Sequence, residues 1–585
     1  MLYEKLARAY DLIETTSGTL EKTRIFSELI CETPSELVGT VLALTINKLF
    51  PDWKSEPEMG VAEKMAIQIL AAAASVDEAQ IRENLRSSGD LGSTAETILQ
   101  SGGQTSLFPK DIGVQDVFDT FVEVSRASGS GSSKEKISLL VGLLSDAKPL
   151  EARYILRSVT GTMRLGLGYM SIMDALSMAY VGDKSIRPLI EQAFNVRSDL
   201  VSVAAVLAKK GVDGLEQIHA SVGIPIRMMA AKKLSNASEI LQKLGGTALV
   251  EYKYDGERVQ VHKDGEIVVL YSRRQEVITE QYPDIVEYVC YHVRAKRCVI
   301  EGECIAIDKS TGGVRPFQEL MRRRRKTGIE EMMREIPVAI RFFDILFLED
   351  RDVTSLPMLG RRQLLDDIIE SCEQVDITTG KVVTEPSEIE EIFAKALEAG
   401  NEGVIAKAIH NESTYQAGSR SWLWIKLKAS YKEGFTDSVD LVIVGAMYGR
   451  GRRTGVYGAV LASAYDPVND TYPTVCKIGT GFTDEVFVEF KERLDPLQLD
   501  RRDPKVLSDI EADLWFQPRV VIEVLGDEIT ISPTHSAGRG QVEGGGLAIR
   551  FPRFTGRWRD DKEANQATTV GDLIEVFENQ RGRSG

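Results

Sequence analysis

The chain has 585 residues, too many for one hydrophobic core, and at about 150 residues per domain it divides into three or four. Its 43% hydrophobic and 27% charged residues are those of an ordinary globular protein, and no window approaches the roughly 18 apolar residues of a membrane span. The net charge of −16 argues against a polyanion partner for the chain as a whole, but cations gather in "MRRRRK" (Met321 to Lys326), "AKKL" (Ala231 to Leu234) and "RFPRFTGRWR" (Arg550 to Arg559), which permits a nucleic-acid surface. The charged, amphipathic start "MLYEKLARAYDLIETT" has neither the apolar core nor the cleavage site of a signal peptide, so a cytoplasmic protein is expected. Six cysteines without a C-x-x-C pair predict reduced thiols rather than zinc ribbons or disulfides. The five histidines lie too far apart for a local metal motif, so any metal must be held by carboxylates.

In chain order, the pattern is helical to about residue 215. Segments such as "SELVGTVLALTINKLF" and "EQIHASVGIPIRMMAAKKL" repeat apolar residues at spacings of three and four. The Ser/Gly-rich run "SRASGSGSSKEK", Ser125 to Lys136, predicts a surface loop that interrupts the helices. Near Ala248 the period changes to two. "ALVEYKYDGERVQVH", the turn "KDG" and "EIVVLYSRR" predict a β-meander, with further strands at "CVIEGECIAID" and "VAIRFFDILFL". Helices are expected at "RRQLLDDIIESCEQV" and at "SEIEEIFAKALEAG", the latter stopped by Gly400. From about Tyr431 short strands ("DLVIVGAMYG", "YGAVLASAYD", "RVVIEVLGDEITIS") separated by turns fit a small barrel. The expected fold is multidomain: all-α over 1–215, mixed α+β over 216–430 and a C-terminal β-barrel over 431–585.

A phosphate-cradling Walker loop is absent, since "VGDKS" lacks the upstream glycine. The chemistry instead gathers around "EYKYDGERVQVH". A free lysine has a pKa of about 10.4, so Lys253 is a nucleophile at neutral pH only if burial or nearby cations lower that value. Arg258 and Arg273 are the cations at hand, and an amine attacking phosphorus also needs cations on the phosphate oxygens. Further along come Glu303 in "VIEGEC", Phe343 in "RFFDILF", Glu402 and Lys407 in "NEGVIAK", and Lys426 and Lys428 in "SWLWIKLKASY". Asp255 and Gly256 are better suited to shaping a turn than to reacting.

This ordered series resembles the ATP-dependent DNA ligases, and most closely the archaeal type, which is similar to the eukaryotic replicative enzymes. The resemblance implies a nucleotidyltransferase (adenylation) domain in the middle and an oligonucleotide-binding (OB) fold at the end. It further implies that Lys253 takes AMP from ATP as a covalent lysyl-AMP, passes it to the 5′-phosphate of a nick in duplex DNA, and that the 3′-hydroxyl then displaces it, in replication, repair and recombination. Glu251 would read adenine, Phe343 would stack on it, and Arg258, Arg273, Arg420, Lys426 and Lys428 would contact ribose or phosphate. Glu303 would meet ribose or metal, and Glu402 metal, with Mg²⁺ the expected ion and Mn²⁺ a substitute. "LAIRFPRFTGRWRDDK" resembles the family's last motif, with Arg550, Arg553 and Lys562 orienting pyrophosphate.

The helical third resembles the family's DNA-binding domain. Its "GTMRLGLG" loop, Gly161 to Gly168, would set Arg164 against phosphates. At the join to the catalytic domain this chain has "RMMAA", with Met228 where the family has proline, which puts the rigidity of that join in question. "QTSLF", with Gln104, Leu107 and Phe108, resembles a sliding-clamp peptide. The expected enzyme is a monomer without membrane contact. The rival readings are a GTP-using capping enzyme or RNA ligase, an NAD-dependent ligase, and a non-catalytic nucleic-acid scaffold.

Overall fold

The computed structural model describes residues 1–54, 56–102, 110–308, 313–315, 317–323, 328–428, 438–448, 457–482 and 484–582. The chain forms two compact units. One comprises Met1–Lys232, Leu241–Glu385 and Ala406–Ile425; the other comprises Lys233–Ile240, Pro386–Ile405 and Lys426–Gly585. No helix among the described residues is long and apolar enough to cross a membrane.

The first unit begins with helices, from Tyr3–Thr15 to Leu200–Glu216, whose apolar faces meet in one core that includes Leu6, Phe26, Leu42, Phe121, Leu156 and Leu207. Their ends follow from local chemistry. Asp77, Asp90 and Asp199 accept hydrogen bonds from the first-turn amides of the helices they precede, and Gly89 and Gly182 close helices in the left-handed conformation. Two sequence expectations fail here. "EQIHASVGIPIRMMAAKKL" is not helical beyond Glu216: Gly223 takes φ +86° and Pro225 has no amide to donate, so an apolar spacing survives without a helix. The Ser125–Lys136 run is mostly helix, because Val114–Arg126 ends and Ser132–Asp146 begins inside it, leaving five residues between. Ser132 and Ser133 open the second helix, a place that suits serine far better than a helix interior does.

The same unit carries a mixed sheet. Its antiparallel order runs Ile267–Ser272, Glu257–Asp264, Arg297–Ala306, Val338–Leu348 and Arg351–Asp352, with Val375–Ile377 alongside Val338–Leu348 in parallel. The predicted strand at Val338–Leu348 matches residue for residue, and the hairpin through "KDG" forms with Asp264 opposite Ile267, but the first strand of the expected β-meander does not join it. Ala248–Lys253 pairs with Gly380–Val383 in a different sheet, so the chain leaves one sheet for another at Asp255–Gly256. Alternation sorts the strands of the mixed sheet by face. Val259, Val261, Ile300 and Cys304 join a core with helix residues Ile285, Val289 and Leu365. The opposite face of the same two strands carries Arg258, Gln260, His262, Glu301 and Glu303, with Arg258 opposite Glu303 and Gln260 opposite Glu301.

In the second unit Val439–Tyr448 is central. It pairs with Tyr457–Ser463 on one side and with Leu514–Phe516 and Val521–Leu525 on the other. Tyr457–Ser463 continues to Tyr472–Ile478, Val521–Leu525 continues to Arg553–Trp558, and Glu528–Ser532 pairs with Gly546–Arg550. Phe490, Leu494, Leu573 and Phe577 from two helices complete the core. The region is β-rich as expected. Among the described residues its ladders run in an open order, and an isolated parallel bridge between Thr480 and Arg553 links the strand Tyr472–Ile478 to the strand Arg553–Trp558.

Candidate functional site

Lys253 ends the strand Ala248–Lys253 and is partly exposed; Glu251, two residues earlier on the same face, is buried. The turn after Lys253 is set by packing. Asp255 accepts a hydrogen bond from the Phe317 amide at 3.2 Å. A Cβ on Gly256 would lie 2.3 Å from the Cys304 carbonyl and 2.9 Å from Glu303 Cγ. Any larger residue there would push the lysine strand away from the strand that carries Glu303.

Phe343 owes its place to an irregularity. Glu301 pairs with Asp344 and Gly302 with Phe342, so Phe343 is the extra residue of a β-bulge. Bulges re-aim side chains. Here the ring lies between cations: the Arg258 guanidinium is 5.1 Å and the Lys407 ammonium 5.0 Å from its centroid. Trp424 approaches it edge-on at 6.1 Å.

Arg258 does not face outward. Its guanidinium donates to the Met229 carbonyl at 2.6 Å and to Glu301 at 2.8 Å. Burial works against its charge, but Glu301 and its neighbours more than offset this and hold the side chain protonated, above the ordinary arginine range. Glu301 also takes bonds from Tyr415 at 2.9 Å and Gln260 at 3.2 Å, and Tyr415 accepts from the Met229 amide at 2.9 Å. Gln260 bonds both the amide and the carbonyl of Ile226, and the Gly223 amide donates to His262 at 3.0 Å. Burial pushes the His262 pKa down to about 3, so its ring is neutral and can accept that bond. A line of buried polar groups thus straps residues 223–229, Met228 among them, to the sheet.

Arg273 and Arg420 are exposed and line a cleft of about 1440 Å³ with Lys48, Thr160, Gly161 and Tyr169. Neither Glu251 nor Lys253 lines it. In the loop Gly161 to Gly168, Met163 and Leu165 are buried and Lys22 donates to the Leu165 carbonyl at 2.8 Å. This anchoring presents the part-exposed Arg164, at φ +52°, with Asp90 4.0 Å away.

In the second unit Glu402 pairs with Lys428 at 2.6 Å, and Lys426 shares the face of Lys428 on the strand Trp424–Lys428. Arg550 pairs with Glu528 at 2.7 Å, and Lys562 with Asp440 at 2.6 Å. Arg553 begins the strand Arg553–Trp558, opposite Leu525, and Lys562 follows the other end of that strand. Two cations of the predicted basic runs are spent inside the fold. Arg323 is fully buried and grips both oxygens of Asp284 at 2.7 and 3.0 Å, and Arg559 is held by Asp440 and Asp561. Arg324–Lys326 and the clamp-like Gln104, Leu107 and Phe108 lie outside the described residues.

Residues the sequence did not single out hold the site together: Glu301, Gln260, His262, Arg362, Tyr415 and Trp424, and Lys407 in a role the motif did not suggest. The available signal was polarity inside apolar alternation, as in "VIEGE" and "GVIAK".

Residues 2–177 match the DNA ligase N terminus, 228–428 the ATP dependent DNA ligase domain, and 453–562 the ATP dependent DNA ligase C terminal region. The chain is 46% identical to DNA ligase 2 of Thermofilum pendens, covering 99% of this chain and 98% of that one. It is 42% identical to a DNA ligase of Sulfolobus acidocaldarius over 99% and 98%. The solved structure Pmar-Lig_Pre shares the fold with a TM-score of 0.55 at 15% identity, covering 95% of this chain and 99% of that chain. The class is therefore that of enzymes that form phosphodiester bonds, with a helical N-terminal region, a nucleotide-using middle and a β-rich C-terminal region. Within it, the chain belongs to the ATP-dependent DNA ligases, which act on nicked DNA.

Proposed function

We propose that Lys253 is the nucleophile of this ligase. Its uncharged amine attacks the α-phosphorus of ATP, an N–P bond forms, the bond to the β-phosphate oxygen breaks, and pyrophosphate leaves. The 5′-phosphate at the nick then attacks the same phosphorus and returns the amine. The 3′-hydroxyl attacks the 5′-phosphorus, AMP departs, and the strand is closed. Glu251 accepts from the 6-amino group of adenine and Phe343 stacks on the ring. Arg273, Arg420, Lys426 and Lys428 meet phosphates; Arg258 acts on the ribose side through its place in the Glu301 network. Arg550, Arg553 and Lys562 orient pyrophosphate as the C-terminal region, acting as an OB fold, moves relative to the middle.

The carrying observation is the convergence of Glu251, Phe343 and Lys407, far apart in sequence, at the strand that ends in Lys253. Glu303 and Glu402 fit Mg²⁺ or Mn²⁺ by donor chemistry. Among the described residues no three acidic, His or Cys groups form a cage, and Mg²⁺ commonly takes one or two carboxylates and completes its shell with phosphate oxygens and water. When bound, the ion would offset charge on the phosphate oxygens. The working unit is a monomer of three domains, 1–215, 216–430 and 431–585, in the cytoplasm on DNA, with Arg164 on phosphates. Gln104, Leu107 and Phe108 are its attachment to a sliding clamp.

Incubation with α-labelled ATP and a divalent ion, followed by denaturation, tests the core of this reading. Acid-labile label on the wild type that Lys253→Ala removes is the expected result. Label of equal amount on that variant overturns it. Equal labelling from GTP or NAD would favour the rival enzymes, and sealing of nicked RNA but not nicked DNA would favour an RNA ligase.

A further inference from the structure

A lysine is almost never fully buried without partners, and its partners report its task. Lys407, on the strand Gly403–Ala408, has a side chain only 1% exposed. Its ammonium lies 2.6 Å from Glu251 Oε2, donates to the Phe343 carbonyl at 2.9 Å, and sits 5.0 and 4.7 Å from the ring centroids of Phe343 and Trp424. Arg362 binds the other oxygen of Glu251 and fixes itself on the Thr378 carbonyl at 3.0 Å and Asp366 at 3.4 Å. Each oxygen of this buried carboxylate thus has its own cation. The carbonyl of the bulged Phe343 is pinned by the same ammonium.

We propose that Lys407 is a positioning residue for base selection. It holds the Glu251 carboxylate in one rotamer and fixes Phe343, so that the pocket takes a 6-aminopurine and refuses a 6-oxopurine. This inference rests on the reading of Glu251 and Phe343 as base contacts. An ionised carboxylate can only accept hydrogen bonds, so it suits the amino group of adenine and repels the O6 of guanine. A carboxylate released by Lys407 is free to turn away from the base, and once turned it no longer tells the amino group from O6. Selectivity therefore depends on the clamp as well as on the glutamate.

The test is single-turnover formation of lysyl-AMP or lysyl-GMP with ATP, GTP and the triphosphate of 6-unsubstituted purine riboside. Lys407→Met should lower the ATP-over-GTP preference in kcat/KM by about tenfold or more, chiefly through a raised KM for ATP. Its preference for ATP over the unsubstituted purine should shrink as well. Lys407→Arg, which keeps the charge, should retain the preference within roughly threefold. Arg362→Met removes the other, part-exposed half of the clamp and should move the preference in the same direction; it decides the matter if circular dichroism shows that Lys407→Met is unfolded. The proposal is overturned if the Met variants slow ATP and GTP by one common factor while Glu251→Ala still erodes the preference. If Glu251→Ala leaves the preference intact, the underlying assignment of Glu251 fails instead.

Discussion

Arg361 and Asp344 are both fully buried, joined at 2.7 and 3.1 Å, with the remaining guanidinium protons spent on the carbonyls of Leu356 and Ser413 and on the Met358 sulfur. Removing one partner strands the other charge. Arg361→Met should therefore destabilise the fold by about 3–5 kcal/mol in urea unfolding, whereas Lys395→Met, which breaks an exposed pair with Glu391, should leave the midpoint in place. His262 gives the pH counterpart. Its folded pKa lies near 3 because burial disfavours the charged ring, against an unfolded value near 6.5. Between these values only the unfolded chain binds the proton, so stability falls as pH drops through that window, by an amount on the order of 4 kcal/mol for this group. The slope of the urea midpoint against pH from 6.5 to 3.5 should flatten in His262→Gln. Lys253, Glu251 and Phe343 could be picked out in the sequence from their order. Arg362 and Lys407 could not be assigned a partner there, because a salt bridge across more than a hundred residues leaves no local pattern.

At the level of elements, glycines separate permissive positions from obligatory ones. Gly403 takes φ +144°, and a Cβ there would lie 2.2 Å from the Leu427 carbonyl. Gly403→Ala should cost about 2 kcal/mol or more and lower the calorimetric Tm. Gly142, inside the helix Ser132–Asp146 with open space around it, should behave oppositely. Gly142→Ala should stabilise the protein by about 0.5–1 kcal/mol, read from the same scans. The elements themselves were well marked in the sequence where period and caps agreed, as in Val338–Leu348 and Pro386–Glu398. They were misread where apolar spacing outlasted the helix, past Glu216, and where serines inside a helix start were taken for a loop.

For the whole molecule, a chain of net charge −16 that acts on DNA must bind through local cations, and binding should weaken steeply with salt. The log of affinity for a nicked duplex should fall linearly with log salt. Arg164→Ala should weaken binding across sequences and reduce that slope by about one, measured by fluorescence anisotropy; an unchanged slope would remove Arg164 from the phosphate contacts. By itself the sequence determined the family and the α-then-α+β-then-β succession, because these rest on ordered motifs and on periodicity within short windows. The tertiary structure decided which charges are spent on the fold. It buried Arg323 on Asp284, turned Arg258 inward to Glu301, placed Ala248–Lys253 beside Gly380–Val383 and enclosed Glu251 between Lys407 and Arg362. The physical reason is that burial and long-range pairing depend on which segments meet, and composition looks the same whether a cation faces water, a carboxylate or DNA.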